Sequence, residues 1–242
     1  MSPPFHNIES NILYILETMD TEYSSLSILY EDDELVVINK PSGLLSIPDG
    51  YQPALPNLKE MLSRKYGQIF TVHRLDKNTS GAIIFSRSIK SHKLMNLQFQ
   101  EKNVTKKYHA VVWNSPHWTM SFVAFPLRIN GDRSHRTVLD FQNGKPALTK
   151  LNVLTCLNDR SIIEAQPYSG YTHQIRAHLR SIGHPIINDQ LYGSNLSNIN
   201  NEHSSRRIAL HSYSLIFTHP IRLKIIEIIA PYPDDFYKYV NP

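Results

Sequence analysis

The stretch 71-TVHRLDKNTSGAIIF-85 decides the fold and the chemistry of this chain, because one carboxylate lies between an arginine, a lysine and an apolar run. In an extended segment Arg74 and Asp76 share one side, about 6–7 Å apart. The polar residues 78–81 favour a turn, and the apolar residues after them predict a strand. Asp76 is therefore predicted at a strand edge. Taken alone, the pattern is more often a turn with a surface salt bridge, so other segments have to decide.

The composition predicts an ordinary globular protein with one core. The chain has 242 residues, 41% hydrophobic and 19% charged, enough for one domain or one domain with an appendage. Its single cysteine, Cys156, excludes an internal disulfide and a cysteine-based zinc site, which favours a reducing compartment. No apolar run reaches the ~18 residues of a membrane span, and the N-terminus lacks the pattern of a secretory signal. We therefore expect a cytoplasmic protein without membrane contact.

The charge is distributed unevenly along the chain. Residues 1–39 contain eight acids and no lysine or arginine. All 25 basic residues follow, together with 13 of the 21 acids, which leaves residues 40–242 with a net charge of +12. Such a balance is typical of proteins that bind polyanions, although a basic surface can also serve solubility alone. The bases are spread through strands and loops, which disfavours a membrane-surface helix.

Hydrophobic periodicity divides the chain into an N-terminal helical appendage, residues 1–27, and a main domain, residues 28–242. The appendage has helical spacing over 7–19. Further helices are predicted at 58–66, 91–103 and 172–181, and a mobile loop at 193–205. Strand patterns predict a mostly antiparallel sheet. They occur at 28–38 (strand, acidic turn, strand), 108–113, 122–129, 137–141, 148–156, 161–166, 209–218 and 222–230.

The helix predicted at 172–181 carries a cluster of bases. His173, Arg176 and Arg180 occur at i, i+3 and i+7, so they project toward a common face. The free N–H groups at the start of a helix favour anions. Arg176 lies beside the apolar stripe, where it could reach a carboxylate and keep it ionised. A solvated basic face is the alternative.

Residues 106–111, KKYHAV, combine two lysines with an aromatic residue at the entrance of a strand. Lysines contact phosphates and aromatic rings stack on bases, so Lys106 and Tyr108 fit a nucleic-acid site. A core tyrosine beside solvated lysines explains the same segment equally well.

The sequence contains few motifs that would support a metal site or a nucleotide cofactor. Among the twelve histidines, the pairs His173/His178 and His211/His219 do not form a His-Glu-x-x-His site, and no cysteine pair exists. Glycine-rich nucleotide loops and a Gly-x-Ser-x-Gly elbow are absent as well. A metal-dependent hydrolase that uses Asp76 and histidines stays open as a weak competitor, and a metal-content measurement would test it.

Four separated segments together resemble the RluA-type pseudouridine synthase family. They are 39-NKPSGLLS-46, HRLD at 73–76 with TSG at 79–81, 106-KKYHAV-111 and 170-GYTHQIRAH-178. Further matches follow in order at 185–186, Asp189, 192–193, 210–211 and 217–220, so the resemblance covers about residues 28–230. It implies an α+β fold, the pseudouridine synthase fold, with a central mixed but mostly antiparallel sheet flanked by helices and loops. A catalytic cleft would cross this sheet.

The resemblance also implies an activity, the isomerisation of a uridine within ribosomal or transfer RNA. The N-glycosidic bond is cut, the base rotates and a bond to C5 forms, without cofactor or metal. A stem-loop is the expected partner, and a monomer the default state. The resemblance assigns roles to individual residues: Asp76 as the essential carboxylate, Tyr108 as the ring that stacks on the uracil, Arg176 as the cation paired with Asp76, Arg74 as an RNA contact, and Leu210 as an apolar neighbour of the base. Further RNA contacts are expected at Lys40, Lys106, His173 and Arg207.

Three positions depart from the family pattern. Tyr171 replaces the usual arginine and Ser169 the usual threonine, so a contact to RNA or within the loop is changed there. Asn188 replaces a glycine, and asparagine tolerates the left-handed conformation. The alternative function is a catalytically inactive RNA-binding protein of the same fold, but the intact Asp76 and Arg176 argue against it.

Overall fold

The computed structural model describes residues 26–193 and 207–240. The helix predicted at 7–19 and nearly all of the loop predicted at 193–205 lie outside these ranges. Within them, no helix is long and apolar enough to cross a membrane. The strands are β1 (Ile28–Glu31), β2 (Leu35–Lys40), β3 (Phe70–Thr71), β4 (Ser80–Ser86), β5 (Thr105–Trp113), β6 (Met120–Val123), β7 (Leu127–Arg128), β8 (Val138–Leu139), β9 (Thr149–Cys156), β10 (Arg160–Pro167), β11 (Leu210–Thr218) and β12 (Ile225–Ile229). The helices are α1 (Leu58–Tyr66), α2 (Ile89–Gln100), α3 (Gln174–Ser181) and α4 (Asp234–Val240).

Ten of these strands form one sheet in the order β1-β2-β4-β11-β5-β10-β9-β6, with β3 paired to β4 and β12 paired to β11. Only the pairing of β4 with β11 is parallel among the described strands, and β7 and β8 form a separate ribbon. The predicted α+β class with a mixed, mostly antiparallel sheet is confirmed. Because β11 lies between β4 and β5, it joins an N-terminal and a C-terminal half of the sheet.

Local sequence explains where the first elements begin and end. Asp32 accepts hydrogen bonds from the amides of Glu34 and Leu35, which makes the predicted acidic turn between β1 and β2. Helix α1 starts after Asn57, whose side chain accepts from the amide of Glu60, and ends at Gly67 with φ 76°. Both predictions are confirmed.

Two predictions differ from the structure in the later part of the chain. The strand predicted at 122–129 is divided into β6 and β7, because Pro126 cannot donate to a ladder. Helix α4 was missed. Its N-terminus has a typical start, Pro233 followed by Asp234 and Asp235, and its buried Phe236 and Tyr239 are three residues apart.

The core lies on both faces of the sheet, in separate apolar clusters for its two halves. Strand β4 is buried along its whole length, and β2 in all but one residue. One apolar cluster packs around β5 and β10, and another around β2, β4 and α1. Tyr108 packs against both, so its ring lies where the two halves of the sheet meet.

Candidate active site

A cleft of about 810 Å³ opens where β5 and β11 meet the loop before β4 and the start of α3. Seven of the nine residues that the sequence predicted for the site line it: Arg74, Asp76, Lys106, Tyr108, His173, Arg176 and Leu210. These residues come from four distant segments of the chain. The fold therefore brings the predicted residues together, with two exceptions, Lys40 and Arg207.

Asp76 lies in the loop between β3 and β4, and its side chain is 29% exposed. The strand before it is shorter than the sequence predicted, because β3 ends at Thr71. After β3, the side chain of His73 forms the next hydrogen bond to β4. Its Nε2 accepts from the amide of Ile84 at 2.9 Å, and the His73 ring stacks on Phe99. An atom that accepts this bond cannot carry a proton, and burial lowers the pKa of His73 to about 3.

The loop that carries Asp76 is clasped by the segment 42–46. Ser46 donates its hydroxyl to the carbonyl of Leu75 and accepts from the Leu75 amide, which satisfies both backbone groups of the residue before Asp76. Gly43 donates its amide to the carbonyl of Lys77, the residue after Asp76. These bonds fix the backbone on both sides of Asp76. The sequence shows both segments as motifs but gives no sign that they bind each other.

Lys40 belongs to this clasp and not to an RNA-binding surface. The residue is 0% exposed, and its ammonium donates to the carbonyls of Pro41, Leu44 and Lys77 at 2.7–2.9 Å. Burial lowers its pKa to about 7, an effect that the charge of Asp76 partly opposes. The direct phosphate contact predicted for Lys40 is therefore wrong. Strand position alone does not reveal that all three N–H donors are used internally.

Arg176 is the cation nearest to Asp76. Its Nη1 donates to Oδ2 of Asp76 at 3.2 Å. Its Nε and Nη2 form a two-bond fork with the carboxylate of Asp189, both at 2.8 Å, and its guanidinium lies 4.9 Å from the ring centre of Tyr192. Hydrogen bonds and charge from Asp189, with a smaller contribution from Asp76, raise the pKa of Arg176 despite burial. Asp189 and Tyr192 match the family pattern in the sequence, but nothing in the sequence places them beside Arg176.

His173 is the second basic side chain beside Asp76. It is the residue before α3 and adopts a left-handed conformation, φ 57°, without a side-chain cap bond. Its Nε2 lies 3.6 Å from Oδ2 of Asp76, and its Nδ1 lies 3.2 Å from the hydroxyl of Tyr192. Burial lowers the pKa of His173, and the charge of Asp76 opposes that shift. The ring therefore tends to be neutral at neutral pH.

Tyr108 faces the cleft from β5. Burial and the negative charge of Asp76 raise its pKa, and a hydrogen bond with Ser212 acts in the opposite direction. The phenol therefore keeps its proton at neutral pH. Leu210 on β11 is 4% exposed and also lines the cleft, so the site combines an aromatic ring with an apolar side chain.

The remaining predicted RNA contacts divide into two groups. Arg74 is exposed at the cleft, and Lys106 lines it while donating to the carbonyl of Ser169. Arg207 is different: its side chain is only 8% exposed, forms an ion pair with Asp235 at 2.9 Å and lies over the Phe236 ring. The prediction that Arg207 contacts phosphate is contradicted by this burial, which involves the helix α4 that sequence analysis missed.

The three departures from the family pattern have clear positions. Asn188 adopts φ 59°, as predicted for a left-handed residue, and donates its side chain to the hydroxyl of Tyr239. Ser169 Oγ accepts from the amide of Leu148, so this residue holds the loop. Tyr171 lines the cleft and packs against an apolar cluster.

Buried histidines act as internal hydrogen-bond partners. His178 bonds with Thr149 and the carbonyl of Phe125, and His211 with Ser80 and the carbonyl of Ala230. Between residues 26 and 193 and between 207 and 240, no group of three histidine, cysteine, aspartate or glutamate side chains could hold a metal ion.

Comparisons with known proteins identify the family of this chain. The profile of the RNA pseudouridylate synthase family matches residues 34–181. The dual-specificity RNA pseudouridine synthase RluA of Pasteurella multocida is 37% identical over 85% of this chain and 93% of its own length. The enzyme of the same name from Escherichia coli K12 is 34% identical over 81% of this chain and 88% of its own.

Solved structures show the same fold. The human RNA pseudouridylate synthase domain containing 1 superposes with a TM-score of 0.72 at 26% identity, covering 87% of this chain and 85% of its own. The human RNA pseudouridylate synthase domain containing 4 superposes with a TM-score of 0.75 at 24% identity, covering 93% of this chain and 96% of its own. At this identity the likeness shows the fold alone.

The chain thus belongs to the RNA pseudouridylate synthase family, and within it to the RluA type. It is an RNA pseudouridine synthase, an isomerase.

Proposed function

We propose that this isomerase converts specific uridines in stem-loops of ribosomal or transfer RNA, with Asp76 as the essential carboxylate and without a cofactor. One observation carries the proposal: the Asp76 carboxylate is open to the cleft and pairs with Arg176 at 3.2 Å. A carboxylate at a cleft wall is reactive only when it is ionised and held in place. Arg176 supplies a positive charge beside Asp76, and the hydrogen bonds around residues 75–77 hold its backbone in place.

The proposed reaction needs no partner other than the RNA. The bond between N1 of uracil and C1′ of ribose breaks, and C5 of the rotated base bonds to C1′. The proton lost from C5 is balanced by the proton gained at N1. Asp76 either bonds to C1′ as a nucleophile or removes a sugar proton, and both routes end with the carboxylate released. The geometry is compatible with both.

A uridine stacked within RNA cannot reach Asp76, so we propose that the nucleotide is extruded into the cleft. Tyr108 would stack on the uracil and offset part of the lost stacking, with Leu210 beside the base. Because burial and the charge of Asp76 raise the pKa of Tyr108, its phenol holds its own proton and can take the proton from C5 only after it has passed that proton on.

The cations that line the cleft support binding of RNA. Arg74 and Lys106 are proposed as contacts to phosphate, and His173 as a hydrogen-bonding contact, since the three residues surround Asp76 from three segments. The relatives carry the name dual-specificity, and we extend to this chain the expectation of more than one RNA substrate. A cytoplasmic location, a monomeric state and the division into an appendage at 1–27 and a catalytic domain at 28–242 complete the proposal.

The test replaces Asp76 by asparagine, which keeps the shape of the side chain and removes its charge. RNA transcripts labelled with tritium at C5 of uridine release the label as pseudouridine forms. Asp76→Asn should lower this rate by about 10⁴-fold or more, while affinity for the transcript stays within about threefold. Asp49→Asn is the matched control, because Asp49 also lines the cleft but pairs only with the amides of its own loop.

Release of tritium by Asp76→Asn at a rate near that of the native chain would overturn the assignment of Asp76. Tight RNA binding by the native chain without any release from ribosomal or transfer RNA would instead favour the inactive RNA-binding alternative.

A further inference from the structure

Arg176 divides its hydrogen bonds unequally between two carboxylates. Nε and Nη2 bind Asp189 as a fork at 2.8 Å, whereas Nη1 alone reaches Asp76, at 3.2 Å. Forked arginine–carboxylate pairs fix both distance and plane, which a single bond does not. The position of the guanidinium is thus determined mainly by Asp189.

Asp189 is itself built into a rigid turn. Its side chain is 0% exposed, and its Oδ1 also accepts from the amides of Leu191 and Tyr192 at 3.1 Å. The amide of Gly193 donates to the carbonyl of Asp189, and a Cβ at Gly193 would lie 2.4 Å from that carbonyl oxygen. The turn therefore depends on a glycine to place Asp189. The carboxylate has no rotational freedom left with which to approach substrate.

We propose that Asp189 is a positioning residue for the reaction: it holds Arg176 at the site during the steps in which Asp76 carries no charge. This inference rests on the proposed function, because it assumes that Asp76 reacts. Asp189 does not line the cleft, and its hydrogen bonds reach the site through Arg176, although its charge also acts on His173.

The reason is electrostatic and holds for either route. When Asp76 bonds to the sugar or accepts a proton, its negative charge disappears, and a guanidinium bound by Asp76 alone would be left as an unpaired cation in a partly buried site. Such a cation is costly and would move toward water. Asp189 keeps its own charge throughout, so the pair of Arg176 and Asp189 stays neutral. Arg176 is then in place when the carboxylate is regenerated and has to leave.

The principal test compares Asp189→Asn with the native chain in the tritium-release assay on the same transcript. We expect kcat to fall about 10- to 100-fold, the range usual for residues that orient a catalytic group, with KM for the RNA within about twofold. The control is Asp140→Asn, which removes another aspartate–arginine pair, with Arg128, outside the cleft and should leave kcat unchanged.

The same substitution made in the Arg176→Lys variant separates a positioning role of Asp189 from a general structural role. In Arg176→Lys the single ammonium cannot form the fork, so adding Asp189→Asn should cost less than about twofold. If the two losses multiply instead, Asp189 acts independently of Arg176 and the inference is wrong. Should Asp189→Asn fail to fold, Asp189→Glu serves: it keeps the charge but displaces Arg176, and an unchanged kcat would refute the inference.

The proposed function fails separately. An active Asp76→Asn refutes the role of Asp76, whereas an inactive Asp76→Asn together with a fully active Asp189→Asn refutes only the role of Asp189.

Discussion

The two walls of the cleft are held in different ways. The first wall, residues 40–46 and 73–81, carries Asp76 and is held by hydrogen bonds to backbone groups; even its buried cation, Lys40, binds only carbonyls. The second wall, residues 171–176, carries Arg176 and is held from behind by the forked ion pair with Asp189, in the turn at 189–193. The comparison teaches that hydrogen bonds to the backbone fix the position of Asp76, whereas a pair of opposite charges fixes the position of Arg176. Apart from Asp76 itself, changes to the residues that hold the first wall should act mainly on stability, and changes to the residues that hold the second wall mainly on kcat.

The largest expected effect on the first wall comes from Gly81→Ala. Gly81 has φ +109°, and a Cβ there would lie 2.2 Å from the carbonyl oxygen of Ser212 on β11. The clash is with backbone and cannot be relieved by a side-chain rotation. We expect a loss of at least about 4 kcal/mol in the free energy of unfolding, measured by urea denaturation.

Gly43→Ala is the matched control in the same wall. Gly43 also has a positive φ, +87°, but its Cβ would meet nothing within 4 Å, so only the backbone strain of about 1–2 kcal/mol remains. Equal losses for both variants would contradict the steric account of the contact between β4 and β11.

An intermediate effect is expected from acid, through His73. Burial lowers its pKa to about 3, below the ordinary value of 6.5, so between these limits only the unfolded chain binds the proton. Stability therefore falls as the pH falls, by about 2 kcal/mol between pH 6.5 and 5 from this group. His73→Phe retains a ring against Phe99 without the titration, and the stability advantage of the native chain should shrink by that amount.

The measurement is urea denaturation of both proteins at several pH values. Parallel curves for the native chain and His73→Phe would show that His73 does not hold the first wall through its neutral ring.

The smallest expected effect belongs to the surface. Arg74 is exposed at the cleft, and as one phosphate contact it should contribute about one unit to the slope of log affinity against log salt. We expect Arg74→Ala, made in Asp76→Asn to prevent turnover, to bind a stem-loop transcript a few-fold more weakly with a shallower slope. Lys238→Ala, exposed on α4 away from the cleft, should change neither quantity. A slope unaltered by Arg74→Ala would remove Arg74 from the interface.

The sequence predicted those parts of the fold that local patterns determine. The acidic turn before β2 and the caps of α1 follow from neighbouring residues, which is why their bounds agree. Helix α4 was missed although Pro233 and two aspartates mark its start. The split between β6 and β7 depends on Pro126, whose effect on a ladder was not weighed.

The site was predictable where ordered motifs matched a family, and unpredictable where burial decides the role. Asp76 and Arg176 come together as the motifs suggested. Lys40 and Arg207 looked like phosphate contacts because a sequence shows a charge but not what surrounds it. The partner of Arg176 was overlooked for the same reason, since only the folded turn aims Asp189 at the guanidinium.

Strand β11 has a further consequence for how the protein becomes active. Asp76 precedes β4 and Tyr108 lies on β5, yet β4 and β5 are joined only through β11, whose residues 210–218 lie near the end of the chain. The pairing of Ser80 with His211 spans 131 positions, and contacts so distant along the chain form slowly. During synthesis on the ribosome, a nascent chain that ends before β11 therefore holds Asp76 and Tyr108 on unjoined fragments. We expect such a chain to be inert toward RNA until β11 has been synthesised and has paired with β4 and β5.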